Sequence, residues 1–312
     1  MTVAVLSSLI RPLVEARLPA WIEPRFFATR DEAFALAPQA EIGWFDMYHK
    51  ADMAQAIGLA TNLRWLNSIY AGVDGMPLDL LAQRGVMFTN GVGINALTIA
   101  EYVVMGMLTI AKGYREVVRA QDRHEWLMDS PGKRELAGSR ALILGYGAIG
   151  QLLDTRLAAF DVDVVKVRRS SGPGTLGPGE WRARLGEFDW VILAVPATPE
   201  TDNMIGSAEL AAMKPDAVLV NIARGSVVDQ AALTAALAEK RIQAAFLDVT
   251  SPEPLPAGDP LWALDNAHLT MHLSGRAQDK MFVRAAERFL VNLDRYRAGK
   301  PLEPLVDLAL GY

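Results

Sequence analysis

The chain has 312 residues, of which 51% are hydrophobic and 21% are charged, and its formal net charge at pH 7 is −5. This composition is that of an ordinary globular protein and excludes a disordered or collagen-like chain. Single hydrophobic cores stop growing near roughly 250 to 300 residues, so the length predicts two domains with a cleft between them. The acidic balance and the lack of a long basic run argue against nucleic acid as a partner, because polyanion binding needs several phosphate-neutralising cations.

Cysteine is absent from the sequence, which excludes disulfides, thiolate metal sites and cysteine nucleophiles and agrees with a reducing compartment. The apolar start of the chain, residues 1–10, lacks the basic region of a secretory signal. No stretch approaches the roughly 20 apolar residues that a membrane-spanning helix needs. We therefore expect a soluble, cytoplasmic protein that does not bind membranes.

Short apolar runs alternate with helical patterns along the chain, which predicts the α/β class with parallel sheets. Many of the runs are apolar without a period of two, as expected for strands that are covered on both faces. Two sheets of about five or six strands fit this pattern better than one sheet of ten. The predicted strands are residues 3–6, 42–45, 64–69, 86–89, 141–144, 164–167, 190–195, 217–221, 244–248 and 268–271.

A long helical pattern, residues 96–119, separates the first four predicted strands from the others. Its apolar residues exceed a single stripe, which indicates a helix that is buried on several sides. One interpretation is a packed junction between domains. The other, which we favour, is that the helix also contacts a second copy of the chain. The Gly/Pro-rich segments 170–180 and 251–260 are predicted to be exposed loops.

A glycine-rich turn follows the predicted strand 141–144. Gly145, Gly147 and Gly150 form a G-x-G-x-x-G pattern between a strand and a helix, the context in which this pattern predicts a dinucleotide site. The first glycine permits the tight turn, the second lets a pyrophosphate approach the backbone, and the third lets the helix lie close to the strand. The N–H groups at the start of the helix, near Ala148 and Ile149, would face the anion.

The end of the next strand predicts which dinucleotide is preferred. An acidic residue about 20 residues beyond the glycine turn accepts a hydrogen bond from the 2′-hydroxyl of NAD, whereas arginine there accommodates the 2′-phosphate of NADP. Here Arg168, Arg169 and Ser170 occupy that place, and no acid occurs before Glu180. The sequence predicts that NADP(H) is preferred and that NAD(H) remains possible. The alternative is that both arginines contact only water.

Polar residues follow three strands of the second set, at the end where doubly wound sheets bind ligands. Arg224 is suited to hold a substrate carboxylate and to polarise the adjacent carbonyl. His272 is suited to donate a proton to that carbonyl oxygen, because its ordinary pKa lies near working pH. Glu253 would orient the imidazole and favour its charged form, and Asp248 would accept from the nicotinamide carboxamide. We expect these residues to converge on one site.

Each of these residues also has a structural interpretation. Arg224 would be a loop arginine paired with Asp229, Glu253 a solvated residue between two prolines, and Asp248 a helix cap. His272 is preferred over the remaining histidines by its position. His124 lies in a charged segment, His268 begins its strand rather than ending it, and His49 belongs to the first set of strands.

In combination these residues resemble the D-isomer-specific 2-hydroxyacid dehydrogenase family and, within it, look most like glyoxylate/hydroxypyruvate reductases. The resemblance spans most of the chain. It is carried by Ala71-Gly72-Val73-Asp74, Asn90, Asn95-Ala96-Leu97-Thr98-Ile99-Ala100-Glu101, Val195-Pro196-Ala197-Thr198-Pro199-Glu200-Thr201, Asn221 to Gly225, Asp248-Val249, Glu253-Pro254-Leu255-Pro256 and His272.

The resemblance implies two doubly wound parallel-sheet domains. These are a flavodoxin-like substrate-binding domain, residues 1–93 and 277–312, and a Rossmann cofactor domain, residues 94–276. It also implies the roles of Arg224, Glu253 and His272, a homodimer through the 96–119 helix region, and no metal. The backbone amides of the loop at Ala71 and Gly72 would receive the substrate carboxylate. Cofactor contacts are implied at Thr98, Val195, Pro196, Thr201, Ile222, Ala223, Asp248, Ser274 and Gly275.

The resemblance also places contacts to the substrate's side chain just after strands of the first set. Trp44, Met47, Tyr48 and Tyr70 lie there, which predicts a pocket that tolerates apolar or aromatic groups. The alternative is that these residues pack the domain core, and for Trp44 the two interpretations carry equal weight.

The resulting hypothesis is reduction of a small 2-oxo acid, such as glyoxylate, hydroxypyruvate or a phenylpyruvate-like compound, to the 2-hydroxy acid. The alternative is a non-catalytic NAD(P)-sensing protein on the same scaffold. The presence of Arg224, Glu253 and His272 together argues against it. A formate-type dehydrogenase would pair its histidine with glutamine, and a phosphite-type enzyme would place a lysine in the 70–74 loop; this chain has neither. It departs from the family in having Met271 in place of the usual proline and Thr250 in place of the usual aromatic residue.

Overall fold

The computed structural model describes residues 1–170, 172–276 and 278–311. It separates into two compact units, Met1–Asn95 with Ala277–Tyr312, and Ala96–Arg276. The first boundary lies two residues beyond the one predicted from the sequence. Each unit is built around its own parallel sheet.

The strands and α-helices within the described residues have the following bounds. The strands are β1 (Thr2–Ser7), β2 (Ile22–Phe27), β3 (Ile42–Trp44), β4 (Trp65–Asn67), β5 (Met87–Thr89), β6 (Arg140–Leu144), β7 (Asp163–Val167), β8 (Thr175–Leu176), β9 (Trp190–Leu193), β10 (Val218–Asn221), β11 (Ala244–Leu247) and β12 (Ala267–Leu269). The α-helices are α1 (Arg11–Val14), α2 (Arg30–Leu36), α3 (Lys50–Leu59), α4 (Leu78–Gln83), α5 (Ala96–Ala111), α6 (Tyr114–Asp122), α7 (Ala148–Ala158), α8 (Ser207–Ala212), α9 (Gln230–Ala238) and α10 (Gln278–Arg297).

The first unit has a five-stranded parallel sheet with the strand order β2-β1-β3-β4-β5, which is the flavodoxin-like order. Side chains alternate between the two faces of a strand. In β1, Ala4 and Leu6 join one hydrophobic cluster and Val5 joins the other. Both faces are therefore covered, which explains why these strands are continuous apolar runs in the sequence.

The second unit has a seven-stranded parallel sheet with the order β12-β11-β10-β9-β6-β7-β8. In β6, Leu142 and Leu144 pack into one cluster, and Ala141 and Ile143 pack into the other. The strand order reverses between β6 and β9. Ligands of doubly wound sheets bind outside the carboxyl ends of the strands at this reversal.

Two strands, β2 and β8, were not among the predicted strands, and both pair with only one neighbour in their sheets. β2 contains Pro24 together with two charged residues, a composition that is tolerated at a sheet edge and hides the strand in the sequence. β8 has only two residues and lies in the segment that the sequence predicts to be a loop.

The predicted helix 96–119 is wrong as a single element, because the structure breaks it into α5 and α6 with a bend of 71°. Gly113 stands at the break with φ of +60°, a conformation that ends a helix and that glycine adopts without steric cost. The backbone of Gly132 packs directly against Gly113, so the break is also a close approach of two chain segments. Among the described residues no single helix is both long and apolar enough to cross a membrane, and only the bent pair passes on length and composition together.

Candidate active site

The turn between β6 and α7 has the geometry that a dinucleotide pyrophosphate requires. Gly145 has φ of +102°, and a Cβ atom there would lie 2.4 Å from the carbonyl oxygen of Ala194. At Gly150 a Cβ atom would lie 2.4 Å from the carbonyl oxygen of Gly145, so this glycine lets α7 pack against the turn. At Gly147 no atom lies within 4 Å of the position of a Cβ. The open space is therefore at the residue where a pyrophosphate approaches the backbone.

A side-chain network that the sequence did not suggest stabilises this turn. The hydroxyl of Tyr146 donates to the Asp154 carboxylate on α7 at 2.5 Å, and the Lys166 ammonium on β7 lies 2.7 Å from the same carboxylate. The ammonium also lies 5.4 Å from the centre of the Tyr146 ring. The middle residue of the G-x-G segment is thus tied to the helix and the strand beside it. Only the spacing of strand and helix in three dimensions brings these residues together.

The basic segment predicted to select the cofactor directly follows β7. Arg168, Arg169 and Ser170 are exposed, and the N–H of Arg168 donates to the carbonyl of Leu176 on β8 at 3.0 Å. The positive charge of Arg169 is one of the weaker influences that lower the pKa of Glu200, after a hydrogen bond from Thr198 and one from the Glu200 N–H. The backbone of the segment is therefore fixed by the edge strand, and its side chains are accessible to a ligand.

The loop that carries Arg224 is shaped by Asn221, the last residue of β10. The Asn221 side chain is buried, accepts from the N–H of Ala223 at 3.0 Å and donates to the carbonyl of Arg224 at 3.0 Å. The Arg224 guanidinium donates to the carbonyl of Ala223 at 2.7 Å. An asparagine that bonds its own backbone two and three residues on forms a local turn. Arg224 is therefore presented at the carboxyl end of the sheet by a specific fold of its loop.

The loops of Arg224 and Glu253 touch through their backbones. A Cβ atom on Gly225 would lie 2.0 Å from the carbonyl oxygen of Thr250, so only glycine permits this approach. The N–H of Thr250 donates to the Glu253 carboxylate at 3.1 Å. The contact explains how two loops from different strands hold an arginine and a carboxylate near each other.

Glu253 and His272 form the central pair of the site. Nδ1 of His272 lies 2.8 Å from Oε2 of Glu253, and the two side chains are 46% and 37% exposed. Burial raises the pKa of Glu253, but the His272 hydrogen bond and charge, the Thr250 N–H and the Arg224 charge together lower it below its ordinary value. Glu253 is therefore ionised at neutral pH, and as a carboxylate it can only accept a hydrogen bond from Nδ1. These contacts bring all three predicted catalytic residues to one site.

His272 lies in a tight turn, residues 270–273, with an unusual backbone. Met271 and His272 have φ of +53° and +57°, and the N–H of Leu273 donates to the carbonyl of Thr270 at 3.1 Å. Positive φ at both central residues defines a type I′ turn. Proline is restricted to φ near −65°, so the proline that the family usually has before its histidine could not adopt this conformation. A proline at position 271 is therefore incompatible with this turn.

The Asp248 side chain stabilises this turn through hydrogen bonds. Its buried carboxylate accepts from the Thr270 hydroxyl at 2.7 Å, from the Leu273 N–H at 3.0 Å, and from both the N–H and the hydroxyl of Ser274. Its carbonyl accepts from the N–H of His272 at 2.5 Å. Asp248 is not a helix cap, because it directly follows strand β11 and its oxygens accept hydrogen bonds from the histidine loop. The structure gives it a positioning role that the sequence did not predict.

Most of the remaining predicted cofactor residues follow strands of the second sheet, and Thr98 lies on α5. Val195 and Pro196 follow β9, and the Thr201 hydroxyl donates to the carbonyl of Pro196 at 2.7 Å. Ile222, Ala223 and Ser274 are buried, with exposures of 6%, 5% and 3%. Gly275 and Thr98 are partly exposed.

The predicted substrate residues belong to the first unit and fall into two groups. Trp44 is 1% exposed, and its ring lies 5.1 Å from that of Phe289 on α10. It is therefore a core residue, which corrects the prediction that it contacts the substrate. Tyr48 is 87% exposed and Tyr70 is 45% exposed, so neither contributes mainly to the core.

The loop that contains Ala71 and Gly72 is tied to the segment after β5. The Asn90 side chain donates to the carbonyl of Ala71 at 2.7 Å, and the N–H of Gly91 donates to the carbonyl of Tyr70 at 2.8 Å. Within the described residues, the N–H groups of Ala71 and Gly72 have no hydrogen-bond acceptor. Two adjacent N–H groups of this kind can bind a carboxylate.

Within the part of the chain that the structure describes, the other histidines lack the carboxylate contact that His272 makes. Burial, followed by the charges of Arg115 and Arg119, lowers the pKa of His268 to about 4, so it is neutral at physiological pH. His49 and His124 are exposed. No group of three or more acidic or histidine side chains among residues 1–170, 172–276 and 278–311 is arranged to hold a metal ion.

Comparison with known families gives a match over most of the second unit. The profile described as D-isomer specific 2-hydroxyacid dehydrogenase, NAD binding domain, matches residues 104–274. Glyoxylate/hydroxypyruvate reductase B of Yersinia pestis is 33% identical over 239 residues, which cover 73% of both chains. D-3-phosphoglycerate dehydrogenase of Archaeoglobus fulgidus is 29% identical over 265 residues, and the chain spans 50% of its length.

Comparison with solved structures extends the match to both units. A D-isomer specific 2-hydroxyacid dehydrogenase family protein of Aeromonas salmonicida superposes with a TM-score of 0.87 at 28% identity, covering 98% of this chain and 99% of that one. A D-isomer specific 2-hydroxyacid dehydrogenase of Xanthobacter autotrophicus, solved with NADPH and MES, gives a TM-score of 0.78 at 27% identity and covers 100% and 99% of the two chains.

Proposed function

Because this chain belongs to the D-isomer-specific 2-hydroxyacid dehydrogenase family, we propose that it reduces a small 2-oxo acid to the 2-hydroxy acid with NADPH as its preferred cofactor. Glyoxylate, hydroxypyruvate and phenylpyruvate-like acids are the first substrates to test. The observation that carries the proposal is the 2.8 Å contact between Nδ1 of His272 and the Glu253 carboxylate, with the arginine loop packed against the glutamate loop.

The Glu253 carboxylate assigns the two imidazole nitrogens their tasks. Nδ1–H donates to the carboxylate, which orients the ring and fixes the tautomer. Nε2 then carries the proton that passes to the carbonyl oxygen of the substrate. When bound, the nicotinamide cofactor supplies the hydride that reduces the carbonyl carbon. In the oxidative direction Nε2 accepts the proton of the hydroxyl group, so one residue serves as acid and as base.

Arg224 binds the substrate and polarises it. Its guanidinium carries several fixed N–H donors, which suits both a carboxylate and the oxygen of an adjacent carbonyl. As negative charge develops on that oxygen, a cation held beside it stabilises the transition state more than the ground state. In the first unit, the N–H groups of Ala71 and Gly72 contribute to binding of the substrate carboxylate, and Tyr48 and Tyr70 contribute to selection of its side chain.

The glycine turn and the basic segment after β7 support the choice of cofactor. The open position at Gly147 and the N–H groups of Ala148 and Ile149 suit a pyrophosphate at the start of α7. Arg168, Arg169 and the Ser170 hydroxyl suit a 2′-phosphate, because hydrogen bonds between charged groups each contribute about 1.5 to 3 kcal/mol in favourable cases. NADH lacks that phosphate, so it is the weaker cofactor in this proposal. We place the enzyme in the cytoplasm.

Steady-state oxidation of NADPH with glyoxylate, hydroxypyruvate and phenylpyruvate tests the reaction. We expect turnover of at least one acid by the wild type, and His272→Asn should lower kcat by about 100-fold or more while the NADPH Kd stays within twofold. Absence of turnover with every acid, despite NADPH binding, would favour the cofactor-sensing alternative. Full activity of His272→Asn across pH 5 to 9 would exclude its role as proton donor.

The cofactor preference has its own test. The ratio of kcat/KM for NADPH over NADH should exceed one in the wild type and fall by about tenfold or more in Arg168→Asp, because the variant replaces an attractive charge by a repulsive one. Arg182→Asp, which changes an exposed arginine elsewhere in the same unit, is the control. Equal use of NADH by the wild type would refute the preference.

A further inference from the structure

Asp46, a residue that the mechanism above does not use, has three hydrogen-bond donors directed at its carboxylate. The Trp44 indole N–H lies 2.6 Å from Oδ2, the Ser68 hydroxyl 2.7 Å from Oδ1, and the Ile69 N–H 2.6 Å from Oδ2. Asp46 follows β3, whereas Ser68 and Ile69 follow β4. One carboxylate therefore joins the carboxyl ends of two neighbouring strands.

The segment that Asp46 holds leads straight into the loop of Ala71 and Gly72. From the opposite side, the Asn90 side chain and the Gly91 N–H bond the carbonyls of residues 71 and 70. At Gly91 a Cβ atom would lie 1.8 Å from the carbonyl oxygen of Ile69, so the segment after β5 presses against residues 69–71. Neutral groups, the Asn90 side chain and the Gly91 N–H, therefore hold the loop on one side, and one carboxylate holds it on the other.

The charge of Asp46 matters for the strength of this hold. Hydrogen bonds to an ionised carboxylate are roughly twice as strong as bonds between neutral groups. Burial raises the pKa of Asp46 to about 6, although the Ile69, Ser68 and Trp44 donors each act to lower it. The groups that face it come from β3 and from the segment after β4, and none of these three donors is charged. The carboxylate is therefore ionised at neutral pH and protonated in mildly acidic solution.

We propose that Asp46 is a positioning residue for substrate binding: its carboxylate fixes residues 68–70, so that Ala71 and Gly72 present their N–H groups to the carboxylate of the 2-oxo acid. This assignment rests on the proposed function, since it concerns the affinity for that substrate. Protonation places a hydrogen on one carboxylate oxygen, which weakens its acceptance from donors that already point at it. The loop then loosens while the cofactor site, in the other unit, keeps its own contacts.

Asp46→Asn tests the assignment, because the amide keeps the size of the side chain but removes its charge and leaves one oxygen to accept from the three donors. At saturating NADPH we expect the KM for the 2-oxo acid to rise about tenfold, which corresponds to about 1.4 kcal/mol, while kcat changes less than threefold and the NADPH Kd is unchanged. In the wild type this KM should rise as the pH falls below about 6, and the inflection should be absent from the variant. Asp31→Asn, the same change at an exposed acid of the same unit, is the control.

Hydrogen exchange of the segment 66–73, measured without substrate, gives a readout that does not depend on the reaction. We expect faster exchange in Asp46→Asn than in Asp31→Asn at pH 7.5. Unchanged exchange, or faster exchange with an unchanged KM and a persisting inflection, would overturn the assignment. If Asp46→Asn does not fold, Ser68→Ala replaces it: a raised KM with faster exchange supports the assignment, and no change in either overturns it. A wild type that reduces no 2-oxo acid would instead overturn the proposed function, whatever the exchange rates.

Discussion

At the scale of single residues, His272 shows how the structure holds a reactive side chain in a conformation that it does not prefer. Left-handed backbone at a residue other than glycine costs of order 1 kcal/mol or more and persists only where the surroundings fix it. Two such residues, Met271 and His272, are consecutive here. The Asp248 carboxylate accepts hydrogen bonds from both sides of the turn, which offsets that cost and fixes the direction of the imidazole.

Substitution of Met271 tests this turn. Proline cannot reach φ of +53°, so Met271→Pro should displace His272 and lower kcat about tenfold or more, although it restores the residue that the family usually has. Met271→Gly, which adopts positive φ at no steric cost, should keep kcat within about threefold. Measurement of kcat and of the NADPH Kd for both variants decides the matter. A fully active Met271→Pro enzyme would show that the type I′ turn is not the catalytic conformation.

A second residue, His268, makes stability depend on pH. Its folded pKa of about 4 lies below its ordinary value of 6.5, mainly because it is buried. Between these pH values the unfolded chain binds a proton at His268 that the folded chain does not bind. The contribution of neutral His268 to the free energy of unfolding is therefore complete above about pH 6.5 and is lost as the pH falls toward 4. The shift corresponds to about 3 kcal/mol.

His268→Leu removes this titration. We expect the melting temperature of the variant to fall less than that of the wild type between pH 7 and pH 4, as measured by calorimetry. His49→Leu, which changes an exposed histidine of the first unit, should leave the pH dependence as it is. If the melting temperatures of the wild type and of His268→Leu fell by the same amount between pH 7 and pH 4, the result would contradict the burial of a neutral imidazole.

At the scale of elements, the site depends on how closely two loops approach. Gly225 and Thr250 belong to the loops after β10 and β11, and their backbones are in contact. The parallel pairing of β10 with β11 places the carboxyl ends of both strands at the same edge. The register Asn221 opposite Leu247 then fixes which loop residues meet. The separation of Arg224 from Glu253 is therefore a property of the sheet as much as of the loops.

Gly225→Ala tests this dependence. A Cβ atom 2.0 Å from the Thr250 oxygen forces the loops apart, so we expect kcat/KM for the 2-oxo acid to fall about 100-fold, since small displacements of catalytic groups have effects of this size. Gly179→Ala is the matched control, because no atom lies within 4 Å of its Cβ position. Equal activity of the two variants would show that the loop contact does not position Arg224.

At the scale of the whole molecule, the second unit has several large apolar side chains exposed on α5, on α6 and in the segment after them. Trp126 is 89% exposed and Met128 is 91% exposed, and they are accompanied by Met105, Tyr114, Val117 and Val118. When large apolar side chains are exposed together on a protein, they commonly mark a site of interaction with another molecule. We propose that a second copy of the chain covers it, which extends the predicted 96–119 contact region to residue 128.

The double variant Trp126→Ser with Met128→Ser tests this interface. We expect the wild type to sediment as a dimer and the variant to shift toward monomer by about tenfold or more in dissociation constant, because it removes two large apolar side chains from the contact. Leu9→Ser, at an exposed apolar residue of the first unit, should leave the dimer intact. A monomeric wild type, or a variant as dimeric as the wild type, would refute the proposed interface.

The sequence by itself determined the α/β class, ten of the strands and the glycine turn, because buried parallel strands and phosphate-binding turns require particular residues at fixed local spacings. It also predicted catalytic roles for Arg224, Glu253 and His272, and these roles stay predictions. Tertiary structure alone decided the rest. Three features depend on groups that lie apart in the chain. They are the placement of Trp44 in the core, the groups that hold the turn at His272, and the groups that bind the side chains of Asp46 and Tyr146. Local pattern carries no signal for such contacts, since the sheet register and the packing of the helices set their distances.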